Sequence, residues 1–368
     1  MEERFEILLG EKIKNERLRL KLSLEELSKR IGFNNYQTLL QIEKGKRKKI
    51  SMLELVKIAK ALFLSVDNLI NLNKEENHVL WRECTDFQKA VEFENQLKKF
   101  CSYYKELDYI LDTNVEPYLP LSEGLINKLN YRNDYFDFSK NLADFIHKEY
   151  NLGDYPAFTL VEVLKERNIL VFFFELGNVG SAASYLGDFG GAIILNKQNK
   201  PWRRSFDIGH ELFHLLTWNH FSIAPDTKQI PERIETYANI FASNLLLPEN
   251  SILNRLKKFG KIINSIQILH LSLNYKVSLE AMCWRLKNLG VIDDLLFNQT
   301  KDDPNLKKMY QHLFNDKYKE FSKMVPDQYF LKCINAYTEG RISKAKMGKY
   351  LMLNLIEVNK LFKELNIN

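Results

Sequence analysis

The residues with the clearest chemical potential form one short stretch, His210-Glu211-Leu212-Phe213-His214, which has the pattern HExxH. On a helix, residues four apart lie on the same face, so both imidazoles can reach one ion. Glu211 lies beside them, where its carboxylate could accept a proton from a water molecule. The pattern predicts metal-assisted hydrolysis, with Zn²⁺ as the cofactor, His210 and His214 as ligands and Glu211 as the base.

A catalytic zinc site needs a third protein ligand, and the next predicted helix supplies one. This helix is predicted over about 231–247, between Pro231 and Pro248, and it carries Glu235. Asn239 lies one turn further along the same face, where it could hold a ligand in place without touching the metal. We therefore expect Glu235 to complete the ligand set and Asn239 to support it.

Two alternatives to this metal site follow from the same residues. His210 and His214 could be core histidines with satisfied hydrogen bonds. His220 could replace Glu235 as the third ligand, although we expect it to lie exposed beyond the end of the helix. Arg203 and Arg204 precede the motif, and we interpret them as surface or carboxylate-pairing residues.

The elements around the motif indicate a mixed α/β region that begins near Ser139. β-type runs at Ile169–Glu175 and Ala192–Leu195 flank a glycine-rich segment that we predict to be a loop, and the HExxH helix is predicted over about 203–218. We hypothesise that residues 190–196 form an edge strand that pairs with an extended peptide substrate beside the metal. An interior strand is the alternative.

The motifs resemble those of the ImmA/IrrE family of metallopeptidases. Residues 204–214 read RSFDIGHELFH, residues 235–242 read ETYANIFA and residues 245–248 read LLLP. Over about 139–295, the resemblance implies a zincin-like metallopeptidase with zinc ligands His210, His214 and Glu235 and with Glu211 as the base. It also implies a protein substrate, a transcriptional repressor or similar regulator. Gly209 stands where the family usually has Ala, and both residues are small.

The N-terminal residues have the pattern of a small helical bundle. Ser23-Leu24-Glu25-Glu26 and Ser51-Met52-Leu53-Glu54 are capping boxes, and Gly32 and Gly45 are expected to end helices. Residues 1–72 contain 15 Lys and Arg against 10 Asp and Glu, which gives +5 of the whole chain's +6. This balance favours contact with a polyanion at the N-terminal end.

Residues 37–45 (QTLLQIEKG) resemble the recognition helix of Cro-type helix-turn-helix domains of the XRE family, and the resemblance covers about 8–70. It implies binding of duplex DNA, often as a homodimer on two half-sites. A helical protein-interaction module is the alternative. The expected base contacts are Asn35, Gln37, Thr38 and Gln41, and the expected phosphate contacts are Lys46, Arg47, Lys48 and Lys49.

The remaining features describe a chain of several domains. We expect a mostly α fold with a small β-sheet (α+β): a helix-turn-helix domain (1–72), a helical connector (73–138), the metallopeptidase domain (139–295) and a C-terminal helical domain (296–368). The four cysteines form no CxxC pair, and no apolar segment is long enough to span a bilayer. We therefore expect a cytoplasmic protein without a membrane partner.

Two functions agree with these patterns. The first is a DNA-associated zinc endopeptidase that cleaves or inactivates a regulator. The second is a transcription regulator, similar to an antitoxin, whose metal fold senses or holds a partner without proteolysis. Glu211 favours the enzyme, because a purely structural metal site needs no base beside the ion.

Overall fold

The computed structural model describes residues 2–20, 22–47, 49–62, 64, 66–70, 79–113, 115–130, 134–221, 231–257, 263–317 and 325–365. These residues are mostly helical and include one small mixed sheet, which confirms the predicted α+β class. They divide into two compact units. The first contains Met1–Phe100 and Asn178–Gly180, and the second contains Cys101–Gly177, Ser181–Ser222 and Pro231–Asn368.

The first unit begins with the predicted helical bundle. Its elements are α1 (Glu2–Arg19), α2 (Leu24–Ile31), α3 (Tyr36–Glu43), α4 (Met52–Ala61), α5 (Val66–Ile70) and the short strand β1 (Leu80–Arg82). Both capping boxes are present, and Gly32 ends α2 in the left-handed conformation that glycine adopts without strain. α1, α2, α3 and α4 close around a core that includes Leu27, Leu39 and Ile58.

A buried ion pair ties α1 to the end of α3. Arg17 donates from Nε and Nη2 to the two carboxylate oxygens of Glu43, at 2.7 and 2.9 Å, and from Nη1 to the carbonyl of Leu22. The two side chains are only 9% and 3% exposed. Paired and hydrogen-bonded in this way, both buried charges are compensated, and the orientation of α3 relative to α1 is fixed.

Helix α6 (Phe87–Ile110) contributes residues to both units. The second unit continues with α7 (Glu123–Leu129), α8 (Tyr135–Glu149), α9 (Pro156–Glu166), β2 (Ile169–Phe174), β3 (Ala182–Gly187), β4 (Gly190–Asn196), α10 (Pro201–Leu216) and α11 (Glu232–Leu246). Helix α7 lies in a stretch that contains two prolines before it, and Ser122 caps its first turn.

The second unit ends with a run of helices. They are α12 (Glu249–Leu256), α13 (Ser265–Asn274), α14 (Leu279–Asn288), α15 (Asp294–Asp302), α16 (Pro304–Lys317), α17 (Asp327–Thr338), α18 (Lys344–Leu351) and α19 (Leu355–Leu365). The part of α6 that follows Phe100 packs on α17 and the residues around α18. The ring of Tyr103 packs against that of Tyr350 at a tilt of 37°, and three ion pairs connect the elements: Lys332–Asp108, Arg341–Asp112 and Lys346–Glu106.

The sheet of the second unit differs from the prediction in two respects. β4 pairs in parallel with β2 on one side and antiparallel with β3 on the other. Residues 190–196 therefore form an interior strand, and the prediction of a substrate-binding edge strand there was wrong. β3 lies in the segment that we predicted to be a loop. The sequence did not indicate a strand there because Ala182-Ala183-Ser184 lacks the β-branched and aromatic residues typical of strands.

The core of the second unit lies between one face of this sheet and α8 to α11. Leu212, Leu215 and Leu216 of α10 are fully buried against it. A Cβ atom at Gly191 of β4 would lie 3.3 Å from Leu215 and 3.1 Å from the ring of Tyr118. A glycine at this position therefore allows α10 to pack closely on the centre of the sheet. No described helix is long and apolar enough to cross a membrane.

Candidate functional site

The HExxH residues lie in the C-terminal half of α10. Pro201 occupies its first turn, where the missing amide proton costs nothing, and every residue from Asp207 to Leu216 is buried. Two imidazoles and two carboxylates are thus carried into the core with the apolar side chains. Burial of that much polar surface is unfavourable unless the groups find partners, so this helix needs a partner element that supplies them.

That partner is α11, which passes α10 at very short range. A Cβ atom at Gly209 would lie 3.3 Å from the Cβ of Ala242 and 3.4 Å from its Cα. Small side chains at both contact points allow the two helices to approach closely. Glu235 and Asn239 thereby reach the histidines of the neighbouring helix.

Three predicted ligands converge on one point. The Nε2 atom of His210 lies 3.2 Å from Nε2 of His214 and 3.1 Å from Oε2 of Glu235, and Nε2 of His214 lies 3.4 Å from Oε1 of Glu235. Both histidines are buried, whereas the Glu235 side chain is 26% exposed. Among the described residues, this is the group of three donors placed to hold a metal ion.

The spacing of these donors fits zinc. Tetrahedral Zn²⁺ with bonds of about 2.0–2.1 Å to nitrogen and oxygen places neighbouring ligand atoms about 3.3 Å apart. The three separations, 3.1, 3.2 and 3.4 Å, bracket that value. Two imidazoles and one carboxylate are also a donor set that catalytic zinc sites use, with the fourth position left open.

Asn239 fixes the proton on His210. Its Oδ1 atom lies 3.0 Å from Nδ1 of His210 and can only accept a hydrogen bond, so Nδ1 carries the proton. The lone pair of the neutral ring is then on Nε2, the atom that faces His214 and Glu235. The predicted supporting role of Asn239 corresponds to this hydrogen bond.

The electrostatics of Glu235 favour its ionised form. Burial acts to raise the pKa of this carboxyl, but the hydrogen bonds and charges of His210 and His214 outweigh burial and lower the pKa well below its usual range. A cation could replace the histidine protons beside this ionised carboxylate, because metal ligation requires neutral imidazoles and releases those protons. Glu211 is fully buried on the same helix, one residue from His210.

Asp207 is a structural residue that the sequence analysis missed. It is fully buried, and its carboxylate accepts hydrogen bonds from Ser181 at 2.8 Å, Arg203 at 3.2 Å and Asn199 at 3.4 Å. These bonds connect the first turns of α10 to the start of β3 and to the segment after β4. A charged residue on the apolar face of a predicted helix was the available signal.

His220 lies beyond the end of α10 as predicted, but it is half-buried instead of exposed, and Arg204 is buried instead of lying at the surface. His220 is half-buried after the end of α10, where its Nε2 lies 3.2 Å from the hydroxyl of Tyr135, and it is not part of the three-donor group. Arg203 pairs with Asp207, and Arg204 donates to the carbonyls of Lys197 and Asn199. Both arginines thus anchor α10.

The predicted DNA-contacting residues lie on and after α3. Gln37 and Gln41 are exposed and Thr38 is half-buried. The exposed Asn35 caps α3, since its Oδ1 accepts a hydrogen bond from the Thr38 amide at 3.2 Å. The carbonyl oxygen of the Asn35 side chain is therefore already hydrogen-bonded within the protein.

The basic segment after α3 is divided. Lys46 and Lys49 are exposed, whereas Arg47 donates to Oε1 of Glu54 at 2.7 Å. Lys48 lies outside the described residues. The two exposed lysines are suited to phosphate contacts. Arg47 instead pairs with Glu54, the acidic residue of the α4 capping box.

Comparison with known families gives two matches. Residues 164–287 match the model of the IrrE N-terminal-like domain, and residues 13–69 match a helix-turn-helix model. No curated protein and no solved structure matches the chain significantly. The chain therefore joins an XRE-type helix-turn-helix domain to an IrrE N-terminal-like domain of the ImmA/IrrE type.

Proposed function

We propose that this protein is a DNA-associated, zinc-dependent endopeptidase that cleaves or inactivates a transcriptional repressor or similar regulator. The observation that carries the proposal is the convergence of His210, His214 and Glu235 at separations of 3.1–3.4 Å, next to Glu211. The IrrE N-terminal-like match over the same residues supports a peptidase-type domain.

The proposed roles follow from the geometry. His210, His214 and Glu235 would hold Zn²⁺, and Asn239 would keep the His210 ring in the tautomer that presents Nε2. When bound, zinc supplies Lewis acidity, which lowers the pKa of a coordinated water to about 7. Glu211 would accept the proton from the attacking water and pass it to the leaving amine of the peptide.

The DNA-binding domain supports regulation as the biological context. A helix-turn-helix domain of this type would bring the proposed peptidase domain of the same chain to a promoter at which the repressor could also bind. Repressor and protease then meet at high effective concentration. We further propose that two copies bind two half-sites as a homodimer.

The test uses a trap variant. Glu211→Gln keeps the size of the side chain but cannot accept a proton at neutral pH, so it should retain regulators that the wild type cleaves. Proteins captured on the variant are identified by mass spectrometry and then incubated with each form. Wild type should cleave at least one captured regulator, and Glu211→Gln should be slower by about 10²–10⁴-fold.

Glu232→Gln is the matched control, because it removes one exposed carboxylate from the start of α11 and should leave cleavage unchanged. Equal cleavage by wild type and Glu211→Gln would contradict the proposed role of the base. The alternative function, a regulator that holds a partner without cutting it, predicts that wild type and variant bind the same proteins and that neither form cleaves them.

A further inference from the structure

The second unit carries an open cleft that none of the proposed metal ligands lines. Its volume is about 550 Å³, within the range of small-molecule sites. The cleft is bounded by the turn between α8 and α9, the first turns of α9, the end of α12 and the end of α13. Arg255, Asp154, Tyr155 and Phe158 are the lining residues with functional groups or large rings.

Arg255 is the feature that points to a ligand. Its guanidinium lines the cleft and forms no ion pair within the part of the chain that the structure describes, and its Nε atom is buried without a hydrogen-bond partner. A half-buried cation without a counter-charge is unfavourable. An anionic group in the cleft would pair with the guanidinium and compensate its charge.

Aromatic rings form a wall of the same cleft. Phe158 is 44% exposed, which is high for a phenyl ring, and the ring of Tyr155 lies 6.5 Å from it in an edge-on arrangement. Tyr155 is itself supported by Tyr275, whose hydroxyl lies 2.8 Å from Ser251. Fixed rings of this kind offer a surface on which a flat ligand can stack.

The charges around the cleft limit the ligand further. Lys276 places its ammonium 5.7 Å from the ring centre of Phe158, so Arg255 and Lys276 contribute two positive charges. Asp154 contributes one exposed negative charge. Cationic side chains outnumber the carboxylate at this cleft, which favours an anionic ligand over a neutral or cationic one.

We propose that this cleft binds a small aromatic molecule that carries one carboxylate, with the carboxylate on Arg255 and the ring against Phe158. The site is independent of the metal centre, and its occupancy does not require the proposed peptidase activity. The chemistry is that of a sensor site for an aromatic acid.

The experiment measures binding of three probes to the full chain by isothermal titration and ligand-observed NMR. Indole-3-acetate carries both groups, indole carries the ring alone and acetate carries the anion alone. Indole-3-acetate should bind more tightly than either fragment. A parallel titration in the presence of a metal chelator separates this cleft from any carboxylate binding at the metal centre, and binding should persist there.

Two variants and a control locate the site. Arg255→Gln should weaken indole-3-acetate by about 10-fold or more, because a charge-assisted hydrogen bond is lost. Phe158→Leu should reduce the ratio of the affinity for indole-3-acetate to the affinity for acetate. Lys257→Gln removes an exposed cation at the C-terminal cap of the same helix and should leave the affinity for indole-3-acetate unchanged. Absence of binding at millimolar concentration, equal affinity of Arg255→Gln, or loss of binding with the chelator would overturn the proposal.

Discussion

At the scale of single residues, Asn239 is expected to contribute to zinc affinity without being a ligand, so its effect can be measured separately. It touches His210 through one hydrogen bond of 3.0 Å. Asn239→Ala should reduce zinc affinity by about 10–100-fold, since the tautomer and orientation of the ring are no longer fixed. Competition with a coloured chelator measures this change.

Asn244→Ala is the control for that variant. Asn244 lies on the same helix, and its side chain donates to the carbonyl of Ile240, one turn back in α11. Its replacement should leave zinc affinity unchanged. Equal affinities of wild type and Asn239→Ala would mean that the His210 ring is held by the helix packing alone.

A second residue-scale prediction concerns the buried pair of Arg17 and Glu43. Glu43→Gln leaves a buried guanidinium without its counter-charge and should cost about 3–5 kcal/mol of stability in the helix-turn-helix domain. Hydrogen exchange of the α3 amides reports this loss directly. The double variant Arg17→Met/Glu43→Leu should recover part of it, and failure of the double variant to recover any would contradict the electrostatic explanation.

At the scale of elements, the distance between α10 and α11 controls the geometry of the candidate site. Gly209→Val would force a branched side chain against Ala242, where a single Cβ would already lie at 3.3 Å. We expect a loss of about 1–3 kcal/mol from overpacking and a lower zinc affinity. Thermal unfolding with and without zinc measures both effects.

Gly124→Ala provides the comparison, because Gly124 also lies in a helix but a Cβ there would meet nothing within 4 Å. This variant should be neutral or more stable by up to about 1 kcal/mol. Unchanged zinc affinity of Gly209→Val would show that the two helices can separate without disturbing the donors.

The elements also show why part of the structure was predictable and part was not. His210, His214, Glu235 and Asn239 form a set because their spacing along two helices places them on facing sides. Capping boxes at Ser23 and Ser51 are likewise local, and both are present. The spacing within each helix and the capping boxes depend on residues a few positions apart, whereas the pairing of the two helices was expected from the need for a third ligand and from the family resemblance.

Other features depend on partners that are distant in the sequence. The burial of the Asp207 carboxylate is compensated by hydrogen bonds from Ser181 and Asn199, which the fold of the sheet brings next to α10. β3 has weak strand propensity and is stabilised by its pairing with β4, whose interior position also follows only from the complete sheet. Short-range patterns contain no information on such contacts.

At the scale of the whole molecule, the chain combines a DNA-binding domain with a candidate hydrolytic centre. The double variant Lys46→Ala/Lys49→Ala should weaken binding to all duplex sequences alike, because both lysines are exposed and suited to phosphates. The slope of log affinity against log salt should fall by about 2, since each phosphate contact contributes about 0.9. Gel shifts at several salt concentrations measure this.

Lys128→Ala/Lys148→Ala is the charge-matched control, with both lysines exposed in the second unit. It removes the same two charges and should leave the salt dependence unaltered. If both double variants weaken DNA binding equally, the effect comes from net charge and not from the end of α3.

The central claim is that His210, His214 and Glu235 hold a zinc ion while Glu211 acts beside it. Zinc per chain, measured by mass spectrometry on purified protein, tests this most directly. Wild type and Glu211→Gln should each contain close to one zinc per chain, because Glu211 is not a proposed ligand, and His214→Ala should lose the metal. Wild type without zinc after reconstitution, or His214→Ala with as much zinc as wild type, would contradict the account.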